Sequence, residues 1–304
     1  MIRTLSKLAA IAGTFLLSFS VSGASSADAQ SISPAENDEI LVTGTKEEEK
    51  VIDRYLRDLS DVDPQSPMAR YEPNQYCPRV LGLAAKVNAE IATRMKQVAQ
   101  AAGVRPAGAD CLTSALIIFA DDHNTMQKTF RKMHPEYFQE LSGEAINYQG
   151  RGTNVLSWKL IGRLDKNLNP VATDNDGIQI VDVGVTSSRL QAASRPVVAM
   201  SVILILRRAV IGLTTRQIAD YALMRTLSET DPSKLARTTA PTILRVINAP
   251  VGTATPLSLT DWDLAYVKGR YASNEWNRGY TQLAKIRAVM RREVLGTRKS
   301  EEVE

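Results

Sequence analysis

The chain has 304 residues, and its 37 basic and 33 acidic side chains leave a formal charge of +4 at pH 7. This balance is too small to imply a nucleic-acid partner, and we expect none. Only two histidines and two cysteines are present, so the residue types that hold transition metals or act as general bases are scarce.

The first 29 residues have the three zones of a secretory signal peptide. Arg3 and Lys7 precede an apolar stretch from Leu8 to Val21, and small residues then lead to Ala29. We expect cleavage after Ala29 and export to the periplasm, with an uncleaved membrane anchor as the alternative. The remaining 275 residues contain no apolar run long enough to cross a bilayer.

Residues 30–45 are predicted to be disordered or extended. Within them, Asp38 to Gly44 resembles the Glu-Ile-Val-Val-Thr-Gly stretch near the mature N-terminus of TonB-dependent outer-membrane receptors of alphaproteobacteria. One hypothesis is that this tract pairs with the edge of a periplasmic protein or peptide partner. The alternative is an edge strand or linker of the chain itself. The residues proposed to pair are Ile40, Leu41, Val42, Thr43 and Gly44.

Residues 46–295 are predicted to form one α+β domain that is helical from about residue 232, followed by a charged tail at 296–304. Thr45 and Glu48 form a capping box that predicts the first helix. Apolar spacing then predicts a long helix from Leu83 to Ala102, which ends at Gly103. The buried strands are predicted at Cys111 to Phe119, Asn154 to Leu164 with a hairpin partner at Ile178 to Val183, and Val197 to Leu206.

The two cysteines are Cys77 and Cys111. An even pair in an exported chain predicts a disulfide, which would tie the start of the long helix to the start of the next strand. In the loop-entropy relation such a link is worth about 3.5–4 kcal/mol. The alternative is a free thiol nucleophile beside one of the histidines.

Asp121, Asp122 and His123 follow the second buried strand. An acid beside a histidine at a strand end suits acid–base catalysis. Asp122 is also placed to cap the helix that follows, and we favour that interpretation.

A capping box at Thr214 and Gln217 predicts the start of a central helix directly after the strand that ends at Leu206. Together with the long N-terminal helix and a helical C-terminal part, this order resembles the zincin-type metallopeptidase architecture. In zincins the central helix carries His-Glu-x-x-His, which grips zinc. The corresponding positions here read Gln217-Ile218-Ala219-Asp220-Tyr221, so neither ligand is present.

Other stretches of the chain resemble an uncharacterised group of exported alphaproteobacterial proteins, a resemblance that implies no known activity. The stretches are Met68 to Tyr71, Cys77 to Leu83, Arg216 to Tyr221 and Leu259 to Asp263.

No motif for a metal, a cofactor or a serine nucleophile is recognised, and we expect no cofactor. His123 and His134 would lie about 16 Å apart along a continuous helix, too far to share one ion. Asp174 to Gly177 lacks the downstream glutamate of a calcium loop. We therefore expect a non-catalytic periplasmic binding domain with a mixed sheet, whose cleft is lined by Gln217 and Tyr221. The alternative is a hydrolase with its site at Asp121, Asp122 and His123.

Overall fold

The computed structural model describes residues 35–60, 62–141, 146–173, 179–180, 188–230, 234, 240–250 and 252–296. In the first range, side chains are described from Glu47 onward. The predicted signal peptide, the turn at Asp174 to Gly177 and nearly all of the charged tail lie outside these residues. By internal contacts the chain divides into two units, Met1–Leu41 and Val42–Glu304.

Six α-helices lie within the described residues, and none of them is long and apolar enough to cross a membrane. They are α1 (Ala35–Leu59), α2 (Ala85–Ala101), α3 (His123–Met133), α4 (Thr215–Leu227), α5 (Asp261–Ala272) and α6 (Gly279–Met290). Short 3-10 turns occupy Pro135–Phe138, Arg207–Val210 and Ile243–Arg245, and a π turn extends α6 over Arg291–Leu295.

The strands form a four-stranded mixed sheet and a separate two-stranded ribbon. They are β1 (Pro78–Leu81), β2 (Ala115–Ala120), β3 (Val155–Asp165), β4 (Ala172–Thr173), β5 (Gln179–Ile180) and β6 (Ser194–Leu206). The order in the main sheet is β1-β2-β6-β3, in which β1, β2 and β6 run parallel and β3 is an antiparallel edge strand. A mixed sheet with helices, as the sequence predicts, is therefore present.

The main sheet is covered on both sides, and β6 reads as a nearly continuous apolar run for that reason. The face toward α2 and α4, called the inner face, belongs to the larger core, whereas the face toward α3, called the outer face, belongs to a smaller one. Because side chains alternate along a strand, Ile203 and Ile205 point to the inner face and Val202 and Leu204 to the outer face.

The predicted hairpin between the third strand and Ile178 to Val183 is wrong for the part of that segment that the structure describes. Gln179–Ile180 pair with Ala172–Thr173, and β3 pairs with β6. β6 has 13 residues and offers β3 a long, apolar partner. A shorter segment nearer in sequence offers fewer cross-strand pairs than such a partner does.

For residues 35–45, the described part of the tract predicted to be disordered or extended, that prediction is also wrong, because α1 already begins at Ala35 and includes Ile40 to Gly44. A helix that has been nucleated by its amphipathic part gains one hydrogen bond for each further residue, so it extends through residues of modest helix propensity. In this helix, the backbone of the residues proposed to pair is not extended and does not offer a strand edge to a partner. These residues are Ile40, Leu41, Val42, Thr43 and Gly44.

The predicted entry to the central helix is confirmed. The Thr214 hydroxyl accepts from the Gln217 amide at 3.1 Å, and the Gln217 side chain accepts from the Thr214 amide at 3.1 Å. Every residue of α4 from Gln217 to Leu227 is buried. A helix that is covered on all sides lies in the interior of the fold, so α4 is the central element of the described domain.

The helices α5 and α6 pack closely against each other at Gly269. A Cβ at this position would lie 2.7 Å from the Cα of Ile286, so only glycine fits. Thr260 caps α5 through a second capping box, in which Asp263 is the partner residue. This close backbone approach adds to the burial of large side chains such as Trp262, Tyr266 and Met290 in holding the helical C-terminal part.

Cys77 and Cys111 form the predicted disulfide, with their sulfur atoms 2.02 Å apart. The bridge joins the residue before β1 to the segment before β2. Because β1 and β2 are parallel neighbours, the bridge fixes one end of both strands.

Candidate functional site

Gln217 and Tyr221 were predicted to line a cleft, but both side chains are buried within the fold. The Gln217 side chain completes the capping box of α4, and its Nε2 donates to the Pro256 carbonyl at 2.9 Å. Tyr221 is fully buried, and its hydroxyl makes no hydrogen bond of normal geometry with the described residues. Neither residue lines the cavity described below.

The acidic residue of the same stretch, Asp220, is a structural anchor. Its carboxylate is fully buried and accepts two parallel hydrogen bonds from the Arg94 guanidinium, at 2.9 and 3.0 Å. It also accepts from the Leu259 amide at 2.7 Å. Asp220 therefore ties α4 to α2 and to the segment before α5.

The residues of the alternative hydrolase site separate into different roles. Asp122 is the N-cap of α3 and accepts from the Thr125 amide at 2.6 Å, which confirms the capping interpretation. Asp121 forms an ion pair with Arg207 at 2.5 Å. Burial lowers the pKa of His123, and its Nε2 has no hydrogen-bond partner among the described residues. The two carboxylates thus bond elsewhere, and neither is hydrogen-bonded to His123.

In the part of the chain that the structure describes, no three His, Cys, Asp or Glu side chains converge in a way that could hold a metal ion.

A cavity of about 200 Å³ lies between the edge strand β3 and the C-terminal end of α4, and we call it the polar cavity. It is lined by Asn147, Gln149, Ser157, Trp158, Lys159, Ile161, Ser201, Val202, Ile203, Arg225, Ser228 and Glu229. Two of these side chains are cationic and one is anionic.

The strand β3 delivers the polar groups because its residues alternate between the two faces of the sheet. Leu156, Trp158 and Leu160 belong to the core on the outer face. Ser157 and Lys159 therefore point to the inner face, toward α4. On the neighbouring strand, Lys159 stands opposite Ser201. Polar side chains thus replace hydrophobic ones at the point where the inner face meets α4.

Arg225 is the buried cation of the polar cavity. Its side chain is on α4 and only 4 % exposed. Its Nη2 donates to the hydroxyl of Ser157 and, at 3.3 Å, to the side-chain oxygen of Gln149. Both acceptors are uncharged, and no described carboxylate lies within ion-pair distance of Arg225. A buried guanidinium without an anion destabilises the folded state, because its contacts within the protein replace little of the hydration energy that the group loses on burial.

Lys159 is the second cation. Its ammonium nitrogen lies 2.6 Å from the carbonyl oxygen of Ser228, at the C-cap of α4, where helix carbonyls concentrate negative charge. Burial lowers the pKa of Lys159 to about 7, and nearby Arg270 and Arg225 act in the same direction. The carboxylate of Glu229 opposes this shift without offsetting it. Near neutral pH, Lys159 therefore exists in both charge states.

Among the described residues, Glu229 is the only carboxylate that lines the polar cavity, and it pairs with another cation, Arg270. Its Oε1 accepts from Arg270 Nη2 at 3.0 Å and from the Ala69 amide at 2.9 Å. Both hydrogen bonds end at Oε1, so Oε2 keeps its acceptor capacity. With Arg270 neutralised in this way, Lys159 and Arg225 leave the cavity electropositive.

Sequence reasoning missed both cations, although signals for them exist. Lys159 lies in a strand in which apolar residues, Val155 and Ile161, flank the polar pair on the inner face. Arg225 lies among apolar residues in a helix that has no polar side. In both cases the pattern is typical of an element buried all round, and a cation in such an element is buried with it.

Comparisons with protein-family models, with curated protein sequences and with solved structures found no significant match.

Proposed function

We propose that this chain is an exported, non-catalytic binding domain that holds a small organic anion in the polar cavity. The observation that carries the proposal is the pair of cations, Arg225 and Lys159, that line one cavity and form no ion pair with any carboxylate in the described part of the chain. An anionic ligand supplies the negative charge that balances these two cations. Arginine suits a carboxylate in particular, because its planar donors match the two oxygens.

The size of the polar cavity limits the ligand. A volume of about 200 Å³ corresponds to roughly seven water molecules at about 30 Å³ each. It lies below the range of about 300–1,000 Å³ that is typical of sites for drug-sized ligands. A short carboxylic acid fits this space, whereas a nucleotide or an oligopeptide does not.

The periplasmic location and the zincin-like architecture remain part of the proposal. The disulfide between Cys77 and Cys111 supports an oxidising compartment. The strand β6, which leads into the capped central helix α4, supports the architecture together with α2 and the helical C-terminal part. In that comparison the polar cavity lies near the C-terminal end of α4, about one turn beyond the positions where a zincin carries its ligands.

The test is thermal unfolding of the purified protein at pH 6, where Lys159 carries its proton, with acetate, propionate, valerate and inorganic phosphate as probes. A ligand at 100 times its Kd should stabilise the fold by about 2.7 kcal/mol. Arg225→Met should abolish this stabilisation. Arg216→Met is the matched control, because Arg216 is exposed on the first turn of the same helix, and it should leave the effect intact.

The proposal fails if no probe stabilises the wild-type protein. It also fails if Arg225→Met and Arg216→Met respond alike. A response to phosphate alone would retain the site but replace the carboxylate by a phosphate ligand.

The alternative, a hydrolase with Asp121, Asp122 and His123, has less support. The low pKa of His123 suits a base, but Asp122 caps a helix and Asp121 pairs with Arg207. A hydrolase of this kind needs an acid that orients the histidine, and both acids are engaged elsewhere.

A further inference from the structure

We infer that the ligand of the polar cavity is a short oxo acid and that Lys159 captures its carbonyl carbon as an imine. This inference rests on the proposed function, because it takes Arg225 as the partner of the ligand's carboxylate. It adds a covalent bond that reversible anion binding does not require. Three features of the polar cavity support it: the spacing of the two cations, the charge state of the amine and a nearby proton carrier.

The distance between the two cations follows from the positions of Ser157 and Lys159 along β3. Ser157 and Lys159 are two residues apart on the inner face, which separates their positions by roughly 7 Å along the strand. Arg225 donates to the hydroxyl of Ser157, so the guanidinium lies at one of these positions and the amine starts from the other. A carboxylate bound at Arg225 therefore places a carbonyl group a few bonds further along within reach of Lys159.

The amine is available as a nucleophile. Lys159 forms no ion pair in the described part of the chain, and its one hydrogen bond, to the Ser228 carbonyl, is also open to a neutral amine. With a pKa of about 7, close to half of the side chains are uncharged at neutral pH. A lysine with an ordinary pKa near 10.4 is uncharged at a level on the order of a thousandfold lower.

Glu229 supplies the proton transfers. Its hydrogen bonds to Arg270 and the Ala69 amide both end at Oε1, so Oε2 can accept a proton, and the residue lines the same cavity. The amine nitrogen attacks the carbonyl carbon, and the carbonyl oxygen takes up a proton. The oxygen then leaves as water, which carries away both hydrogens of the amine, and the C=N bond forms. The condensation is balanced by one released water and needs no oxidant or reductant.

The experiment uses the purified wild-type protein, levulinate as a 4-oxo acid, pyruvate as a 2-oxo acid, and borohydride to reduce any imine to a stable amine. Peptide mass analysis should place the adduct on Lys159. Lys96 is an internal control, because its ammonium also donates to main-chain carbonyls, those of Ala107 and Gly108, but near the surface. We expect labelling at Lys159 to be roughly tenfold faster than at Lys96, and to fall about tenfold per pH unit below pH 7.

Valerate, which lacks the carbonyl of levulinate, separates this inference from the proposed function. Valerate should protect Lys159 from labelling because it occupies the same cavity. If valerate stabilises the protein but no oxo acid labels Lys159, the imine is disproved and anion binding stands. If neither valerate nor any of the other anionic probes affects stability or labelling, the proposed function itself fails.

A variant gives a second measurement. Lys159→Arg keeps the positive charge but cannot form an imine, so it should still be stabilised by valerate and should lose the adduct. If this variant does not fold, labelling and valerate protection of the wild-type protein still decide the question. Equal labelling of Lys159 and Lys96 would overturn the inference.

Discussion

At the scale of single residues, two cations of the described domain occupy positions where the hydrophobic pattern of the sequence favours apolar side chains. Arg225 and Lys159 both lie between the inner face of the sheet and α4. Natural proteins accept such costs mainly where the residue binds something. The sequence predicted the disulfide cysteines and the Asp122 cap, because these depend on compartment or on near neighbours. It did not predict the two cations, because their burial depends on contacts between residues more than 60 positions apart.

The charge state of Lys159 predicts a pH-dependent stability. The folded-state pKa of about 7 lies below the unfolded value of about 10.4, so the cost of burying the ammonium is present in full below pH 7. The cost disappears as the pH rises toward 10.4. Lys159→Met should therefore gain stability relative to the wild type by about 2–4 kcal/mol more at pH 6 than at pH 9.5.

Urea unfolding of both proteins at the two pH values measures this difference. Lys96→Met is the control and should show a much smaller pH dependence. Equal effects of Lys159→Met at pH 6 and pH 9.5 would show that the Lys159 ammonium is well solvated.

At the scale of elements, most local signals were reliable and non-local ones were not. The capping box predicted at Thr214 is confirmed, and Thr260 caps α5, whereas the box predicted at Thr45 does not start a helix because Thr45 lies inside α1. The start of α1 and the partner of β3 were predicted wrongly. The first depends on how far an established helix extends, and the second on a competition between distant strands. Neither outcome can be predicted from a short window of the sequence.

The capping box of α4 makes a prediction at this scale. Thr214→Ala removes the acceptor for the Gln217 amide, so the free energy of unfolding should fall by about 1 kcal/mol. Thr215→Ala, one residue into the same helix, should change it by less than about 0.5 kcal/mol. Denaturant unfolding of the two variants gives the comparison, and an equal loss in both would contradict the assigned cap.

At the scale of the whole molecule, the four-stranded sheet has a hydrophobic core on each face, and the two cores differ in size. The disulfide holds the strand at one edge of this sheet. β1 has only four residues and one strand neighbour, β2. The Cys77–Cys111 bridge compensates for this weak pairing by closing the chain just before the two strands. The mixed sheet was predictable from buried apolar segments. The strand order was not, because it is set by long-range pairing.

Loss of the bridge should lower the free energy of unfolding by about 3.5–4 kcal/mol, given its sequence separation of 34 residues. Denaturant unfolding with and without a reductant measures this loss. The variant with both Cys77→Ala and Cys111→Ala should match the reduced wild type and should not respond to the reductant. If reduction leaves the unfolding midpoint of the wild type unchanged, the bridge does not constrain the unfolded chain.

The most direct test of the central claim, that Arg225 and Lys159 form a site for a small anion, is a calorimetric titration of the protein with valerate at pH 7 in buffers of different ionisation enthalpy. Binding should occur with one ligand per chain and should take up a fraction of a proton, since an anion beside Lys159 favours its charged form. Lys159→Met should bind without proton uptake. No measurable heat in any buffer, or binding that is unchanged in Arg225→Met, would contradict the account.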